Sequence, residues 1–211
     1  MNEIEKQLHH KGYQKIAGLD EAGRGCWAGP LVVAICVLPK DYFNPAIKDS
    51  KLLKPKVRHE LFKEILAVAT YYNYVVYEAP LVDQLNPKQA SLQGMTKLIA
   101  QATNQIDYVL SDFEKPQTHL PCMALVKGDQ RSQSIAAAAI IAKTIRDQLI
   151  EQIALIYPQY EFTKHQGYGT KMHQMVLAKY GPIKGIHRFS YKPIKSFLTT
   201  HLATKKQPKA A

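Results

Sequence analysis

Residues 16–38 read IAGLDEAGRGCWAGPLVVAICVL, two apolar runs joined by a glycine-rich turn that carries an Asp-Glu pair. Segments 16–20 and 30–38 have strand composition, and the second is so dense in Val and Ile that it belongs in a sheet buried on both faces. Within the turn, GLDEAGRG at 18–25 has the G-x-x-x-x-G spacing of a phosphate-binding loop. Such a loop needs Lys and then Ser or Thr after the second glycine, so that amides, an ammonium and a hydroxyl surround phosphates. Here Arg24 and Gly25 stand in those places, and Asp20 and Glu21 occupy the bend where phosphates would nest. The chain then passes through Ala28-Gly29-Pro30 into a strand, with no helix N-terminus to hold an anion. The turn is suited to carboxylate chemistry.

Outward from this stretch, strands alternate with helices. Residues 55–69 place Leu61, Ile65 and Val68 at helical spacing behind Pro55, and 71–78 returns to strand composition. A helix follows over 86–102, then the short apolar strand DYVLSD at 107–112 and a strand candidate at 120–126. Residues 134–156 form the strongest helical pattern, with Ser134 as a plausible N-cap. Two more helices are expected from TKMHQMVLAKYG, closed by Gly181-Pro182, and from KPIKSFLTTHLAT. The pattern predicts an α/β fold with a mixed central sheet flanked by helices. It predicts a single domain over 1–211, with a catalytic core at 13–160, a basic helical part at 161–203 and a disordered tail at 204–211.

The formal charge of +11 over 211 residues is concentrated at one end: from Glu161 onward ten Lys or Arg face one acid. A nearly neutral body with a basic C-terminal quarter points to an anionic polymer such as nucleic acid, or else to a solubilising tail. Cys26, Cys36 and Cys122 form no C-x-x-C pair, which fits a reduced compartment. No secretory leader pattern opens the chain and no apolar run approaches membrane-spanning length. The expectation is a cytoplasmic protein without membrane contact.

Asp20 and Glu21 follow a strand, where consecutive side chains point to opposite faces, so both reach one site only if the chain turns there. Asp112 ends the apolar run YVLSD, at the kind of sheet edge where open α/β sheets place ligands, though it also reads as the start of a turn. Asp147, four residues after Lys143 in the long helix, reads alone as half of a surface pair. Together the four acids make an oxygen-rich set for hard divalent cations, and metal-assisted hydrolysis becomes the natural reaction class. No H-x-x-x-H, no H-E-x-x-H and no G-x-S-x-G occurs, so closed zinc sites and a serine nucleophile find no support.

These residues occur in an ordered series: DEAGRGCWAGPLV (20–32), KDSKLL (48–53), YVLSD (108–112), KGDQRSQSIAAAAIIAKTIRD (127–147), HQGYGTKMH (165–173) and GPIKGIHRFSYKP (181–193). The series resembles bacterial ribonuclease HII from about Lys15 to Pro193. The resemblance implies an RNase H-like fold and cleavage of RNA in RNA–DNA hybrids, including single ribonucleotides embedded in duplex DNA, leaving 5′-phosphate and 3′-hydroxyl ends. It implies that Asp20, Glu21, Asp112 and Asp147 hold two Mg²⁺ or Mn²⁺ ions, with Asp20 between them. Gly23, Arg24 and Gly25 match the family's ribonucleotide-contacting G-R-G, and Tyr168 its G-Y-G-T tyrosine. Lys51, Lys143, Arg146, Lys164 and Lys171 are candidate phosphate contacts. A monomer is expected, and no replication clamp or other protein partner is assigned.

The chain departs from the family pattern at three points. Asp112 is followed by Phe113-Glu114 where glycine is usual, Ala139 stands where serine is frequent, and Cys26 where proline is frequent. The first leaves Glu114 as a rival for the ligand role; Asp112 is preferred because it ends the apolar run. The alternatives are a ribonuclease HIII-like enzyme, which typically has G-K-G in place of G-R-G, and a non-catalytic hybrid-binding protein.

Overall fold

The computed structural model describes residues 3–205, with side chains described as far as residue 198. The expected tail at 204–211 therefore lies, from 206 on, outside the described residues. Five strands, β1 (Ile16–Ala22), β2 (Leu31–Val37), β3 (Tyr71–Tyr77), β4 (Tyr108–Asp112) and β5 (Cys122–Leu125), form one sheet in the order β3-β2-β1-β4-β5. β1 runs antiparallel to β2 and parallel to β4, and β4 runs parallel to β5, so the sheet is mixed as expected. The chain divides into two compact units: 1–22, 32–76 and 91–145 make the first, and 23–31, 77–90 and 146–211 the second.

The first unit holds most of the sheet together with α1 (Glu3–His10), α2 (Pro55–Val68), the larger part of α4 (Pro87–Gln101) and the first half of α5 (Gln133–Ile156). All seven residues of β2 are buried, which is what its Val/Ile density demanded. Every residue from Ile135 to Ala142 on α5 is buried too, and the run of alanines lets the helix lie close on the sheet. That approach is closest at Gly18, where an added Cβ would stand 2.0 Å from the Ser134 carbonyl carbon. No other residue type fits. Leu8, Ile16, Tyr108, Leu110, Leu125 and Ile135 close a further core cluster at the β4–β5 side.

The start of α5 corrects one expectation. The cap is Ser132, whose Oγ accepts from the Ile135 amide at 3.2 Å, and not Ser134. Ser132 in turn donates to Glu5 at 2.6 Å, and the same carboxylate oxygen accepts from the Ser134 amide at 3.0 Å. A buried acid from α1 thus sits at the positive end of α5. α1 has no clear signature in the sequence, because its eight residues carry few apolar positions.

The second unit contains the loop 23–31, α3 (Ala79–Leu85), the end of α5, α6 (Phe162–His165), α7 (Lys171–Tyr180) and α8 (Lys192–Lys205). Its core is Ala28, Ile150, Tyr160, Phe162 and Val176. α7 is capped by Thr170, which accepts from the His173 amide, and stops at Gly181 with φ of 76°. α3 and α6 are short helices that the sequence did not reveal.

Gly18→Ala tests the packing that fixes the first unit. Backbone cannot retreat as a flexible side chain would, so a loss of at least about 2–3 kcal/mol is expected in urea unfolding. An unchanged unfolding midpoint would contradict the close approach.

Candidate active site

In the first unit, parallel pairing sets Leu19 opposite Ser111, so Asp20 and Asp112 emerge as neighbours at the C-terminal ends of β1 and β4. Asp112 pairs with Leu125 of β5, and its Oδ1 accepts from the Gly128 amide at 2.7 Å. That bond draws the turn 128–130 to the strand ends and brings in Asp129, an acid the sequence reading did not single out. Asp20 is only 7% exposed, and its carboxyl is raised well above the ordinary value. Burial is the main cause, followed by the charges of Glu21, Asp112 and Asp129. Asp129 is raised as well, first by burial and then by Asp49 and Asp112, with Lys51 acting against them.

Glu21 takes a different position from the expected turn. β1 continues to Ala22, with Asp20 opposite Ala34 and Glu21 opposite Val33, so the chain does not bend between the two acids. Asp20 therefore shares the Gly18 face of the sheet, while Glu21 leaves from the other and accepts from Ser91 Oγ on α4 at 2.8 Å. Their carboxylates flank the end of one strand. The Asp112 charge acts on both Asp20 and Asp129, which favours Asp112 as the third acid. Phe113 adopts φ of 55°, the left-handed conformation that explains why glycine suits this position.

Asp147 belongs to the second unit. It is half-buried on α5, and its charge bears on the Tyr168 hydroxyl. The loop 23–31 lies in this unit and is tied down by two fully buried arginines. Arg146 donates from Nε to the Pro30 carbonyl and from Nη2 to those of Ala28 and Gln166, at 3.0–3.3 Å. It is not the surface charge that a phosphate contact calls for; it is a brace beneath the loop. Gly23, with φ of 95°, is needed there because a Cβ would stand 2.3 Å from Arg146 Nε. Arg24 is half-buried, and Gly25 is exposed with open space where a Cβ would be.

Tyr168 is 40% exposed, with the Arg146 guanidinium 5.7 Å from its ring centroid. Burial, assisted by a hydrogen bond with Cys26, pushes its hydroxyl up to about 12. The ring is held in place and keeps an open surface for stacking. Lys51 is exposed beside Asp129, Lys143 is half-buried on α5, Lys164 pairs with Glu161 at 2.7 Å, and Lys171 opens α7 in solvent.

A chain of neutral histidines supports Tyr168. His173 Nδ1 donates to the Tyr168 carbonyl (2.9 Å), and its Nε2 accepts from His187 Nε2 at 3.1 Å. His187 Nδ1 accepts from the Ile183 amide. His165 stacks on His173 with centroids 4.1 Å apart. This pattern of donors and acceptors requires every ring to be neutral.

Among the described residues, no group of three or more His, Cys, Asp or Glu is drawn into a ready-made metal cage. Asp112 and Asp129 nevertheless stand near enough to Asp20 to raise it, and a hard-oxygen set of crowded carboxylates is one that divalent cations satisfy. The Ribonuclease HII family model matches residues 17–194, which span every motif above. The chain belongs to the ribonuclease HII family. It is thus a ribonuclease H, an endoribonuclease acting on RNA–DNA hybrids. It is 46% identical over 192 residues to a ribonuclease HII from Mycoplasma mycoides subsp. mycoides SC, covering 90% of this chain and 91% of that one. The fold matches the crystal structure of ribonuclease H2 from Pyrococcus horikoshii OT3 with a TM-score of 0.72 at 22% identity, over 92% of this chain and 100% of that one. It also matches Bst-RNase HIII in complex with Mn²⁺, with a TM-score of 0.66 at 18% identity over 91% and 71% of the two chains. Among the described residues no helix is long and apolar enough to cross a membrane.

The histidine chain gives this ribonuclease HII a pH signature. Burial, with the neighbouring rings, holds His173 down to about 4 and His187 down to about 3. Their folded pKa values lie below the ordinary 6.5, so the unfolded chain binds more protons between these limits. Their contribution to stability is full above pH 6.5 and declines as pH falls toward 4. Urea unfolding at pH 7 and pH 5 should show a drop that is smaller in His187→Gln; equal drops in both proteins would contradict the neutral chain.

Proposed function

We propose that this ribonuclease HII is a divalent-cation-dependent nuclease that nicks at single ribonucleotides embedded in duplex DNA as well as within the RNA strand of hybrids. The observation that carries the reading is the buried Asp20, raised by burial and by three surrounding acids at the C-terminal ends of β1 and β4. Asp20, Glu21, Asp112 and Asp147 are the residues that would hold the cations, and Asp129 is a further carboxylate near Asp20 and Asp112. Asp147, the fourth ligand implied by the resemblance, has that role from the resemblance alone.

The chemistry such cations supply is a water activated as nucleophile and neutralisation of the charge that develops on the leaving 3′-oxygen. That chemistry yields 5′-phosphate and 3′-hydroxyl ends. Asp20, on which the charges of Glu21, Asp112 and Asp129 all act, would be a ligand whose charge bound cations offset. Lys51, beside Asp129, offers a cation toward the phosphate backbone.

Gly23, Arg24 and Gly25 are the reader of the 2′-hydroxyl, the one group that separates RNA from DNA at a given position. Support comes from the exposure of Gly25 and from the fixed backbone around it. Tyr168 stacks against a neighbouring sugar or base through its open face. Lys164 and Lys171 add phosphate contacts. Mg²⁺ and Mn²⁺ both fit the donor set. The expectation of a cytoplasmic monomer rests on the sequence alone.

The test is an end-labelled DNA duplex with one internal ribonucleotide. Wild type with Mg²⁺ or Mn²⁺ should nick it, while EDTA should stop the reaction and Asp20→Asn should slow it by at least about a hundredfold. Nicking in EDTA, or by Asp20→Asn at the wild-type rate, would overturn the reading.

A further inference from the structure

Arg188 is fully buried, and among the described residues it donates to neutral oxygens: Nε and Nη2 to the Gly29 carbonyl at 3.2 and 3.0 Å, and Nη1 to the Arg24 carbonyl at 3.1 Å and the Tyr191 hydroxyl at 2.8 Å. Tyr191 in turn donates to the same Arg24 carbonyl at 2.6 Å. Both lone pairs of one loop carbonyl are therefore filled by donors from a single short segment. The Arg188 guanidinium also lies 5.4 Å from the Tyr191 ring centroid, so the two side chains hold each other.

The segment is itself anchored. Asp83 on α3 accepts from the amides of Phe189 and Ser190, at 2.6 and 3.0 Å, and from the Ser190 hydroxyl. These bonds set the turn between Arg188 and Tyr191. Holding a guanidinium out of water against two carbonyls and a hydroxyl is costly, and the core gains no hydrophobic packing that an aliphatic residue would not give. What the arrangement secures is the orientation of the peptide between Arg24 and Gly25.

We propose that Arg188 and Tyr191 are positioning residues that lock the Arg24 carbonyl inward, so that the G-R-G loop meets a nucleotide through its N–H groups and takes the 2′-hydroxyl as an acceptor. The inference rests on the reading of residues 23–25 as the ribonucleotide reader. It assigns discrimination between ribose and deoxyribose to two side chains that need not touch the substrate. Freed from the clamp, the peptide between Arg24 and Gly25 rotates and the donor set is lost. General affinity for duplex, carried by phosphate contacts elsewhere, is unaffected.

Binding in EDTA, followed by fluorescence anisotropy, separates these contributions without cleavage. Two duplexes are compared, one all-DNA and one with a single internal ribonucleotide, against wild type, Tyr191→Phe and Arg188→Lys. Tyr191→Phe keeps the ring and removes one donor to the Arg24 carbonyl and one acceptor for Arg188 Nη1, so its melting temperature should fall by only a few degrees. We expect it to lose about fivefold in affinity for the ribonucleotide duplex and less than about twofold for the all-DNA duplex. Arg188→Lys should lose the same preference. A wild type that prefers the ribonucleotide duplex, together with a Tyr191→Phe that keeps this preference, would overturn the inference alone. A wild type with no preference would overturn the reading of the loop and the inference with it.

Discussion

The contact on which the catalytic side of this protein depends is backbone against backbone, Gly18 of β1 under Ser134 of α5. Because side chains alternate along a strand, the residue two places on from Gly18 emerges on the same face, and that residue is Asp20. The same contact fixes the start of α5, and with it the short turn carrying Asp129, whose neighbour Gly128 donates to Asp112. A missing side chain thus sets three carboxylates around one sheet edge. Burial then does the rest, raising Asp20 and Asp129 because like charges are confined where water does not screen them well.

The substrate-reading residues obey a different constraint. Residues 23–31 have little regular structure of their own, and their carbonyls are gathered by two buried arginines of the chain's second unit. Tyr168 sits on Arg146 and hangs from a relay of neutral histidines. A loop that must offer backbone groups to a ligand cannot spend them on a sheet ladder. Side chains supply the rigidity instead.

Much of this was legible before the structure. The Val/Ile run of β2, the alternation of strands and helices, and Asp20 and Asp112 at the ends of apolar segments all follow from composition and period. Asp129 was not legible from the residues alone: it follows a glycine in a short turn, no strand precedes it directly, and its place near Asp20 and Asp112 appears only when Asp112 accepts the Gly128 amide. Asp147 alone reads as half of a surface pair with Lys143 and stands out only in company with the other acids, because a residue's place on a strong helix says nothing about which partner it meets. Arg146 read as a surface cation because arginines usually are; its burial is a tertiary fact set by carbonyls distant in sequence. The bend expected at Asp20-Glu21 failed because β2 offers partners as far as Val32, and pairing extends wherever the ladder can be satisfied.

The central claim is that the carboxylates at the ends of β1 and β4 carry a metal-dependent hydrolysis, with Asp112 as the acid that β4 supplies. Single-turnover nicking rates of Asp112→Asn and Glu114→Gln, measured side by side on a single-ribonucleotide duplex at saturating Mg²⁺, test it most directly. The account predicts that Asp112→Asn falls by at least about a hundredfold while Glu114→Gln stays within about threefold of wild type. A near-normal rate for Asp112→Asn would contradict it.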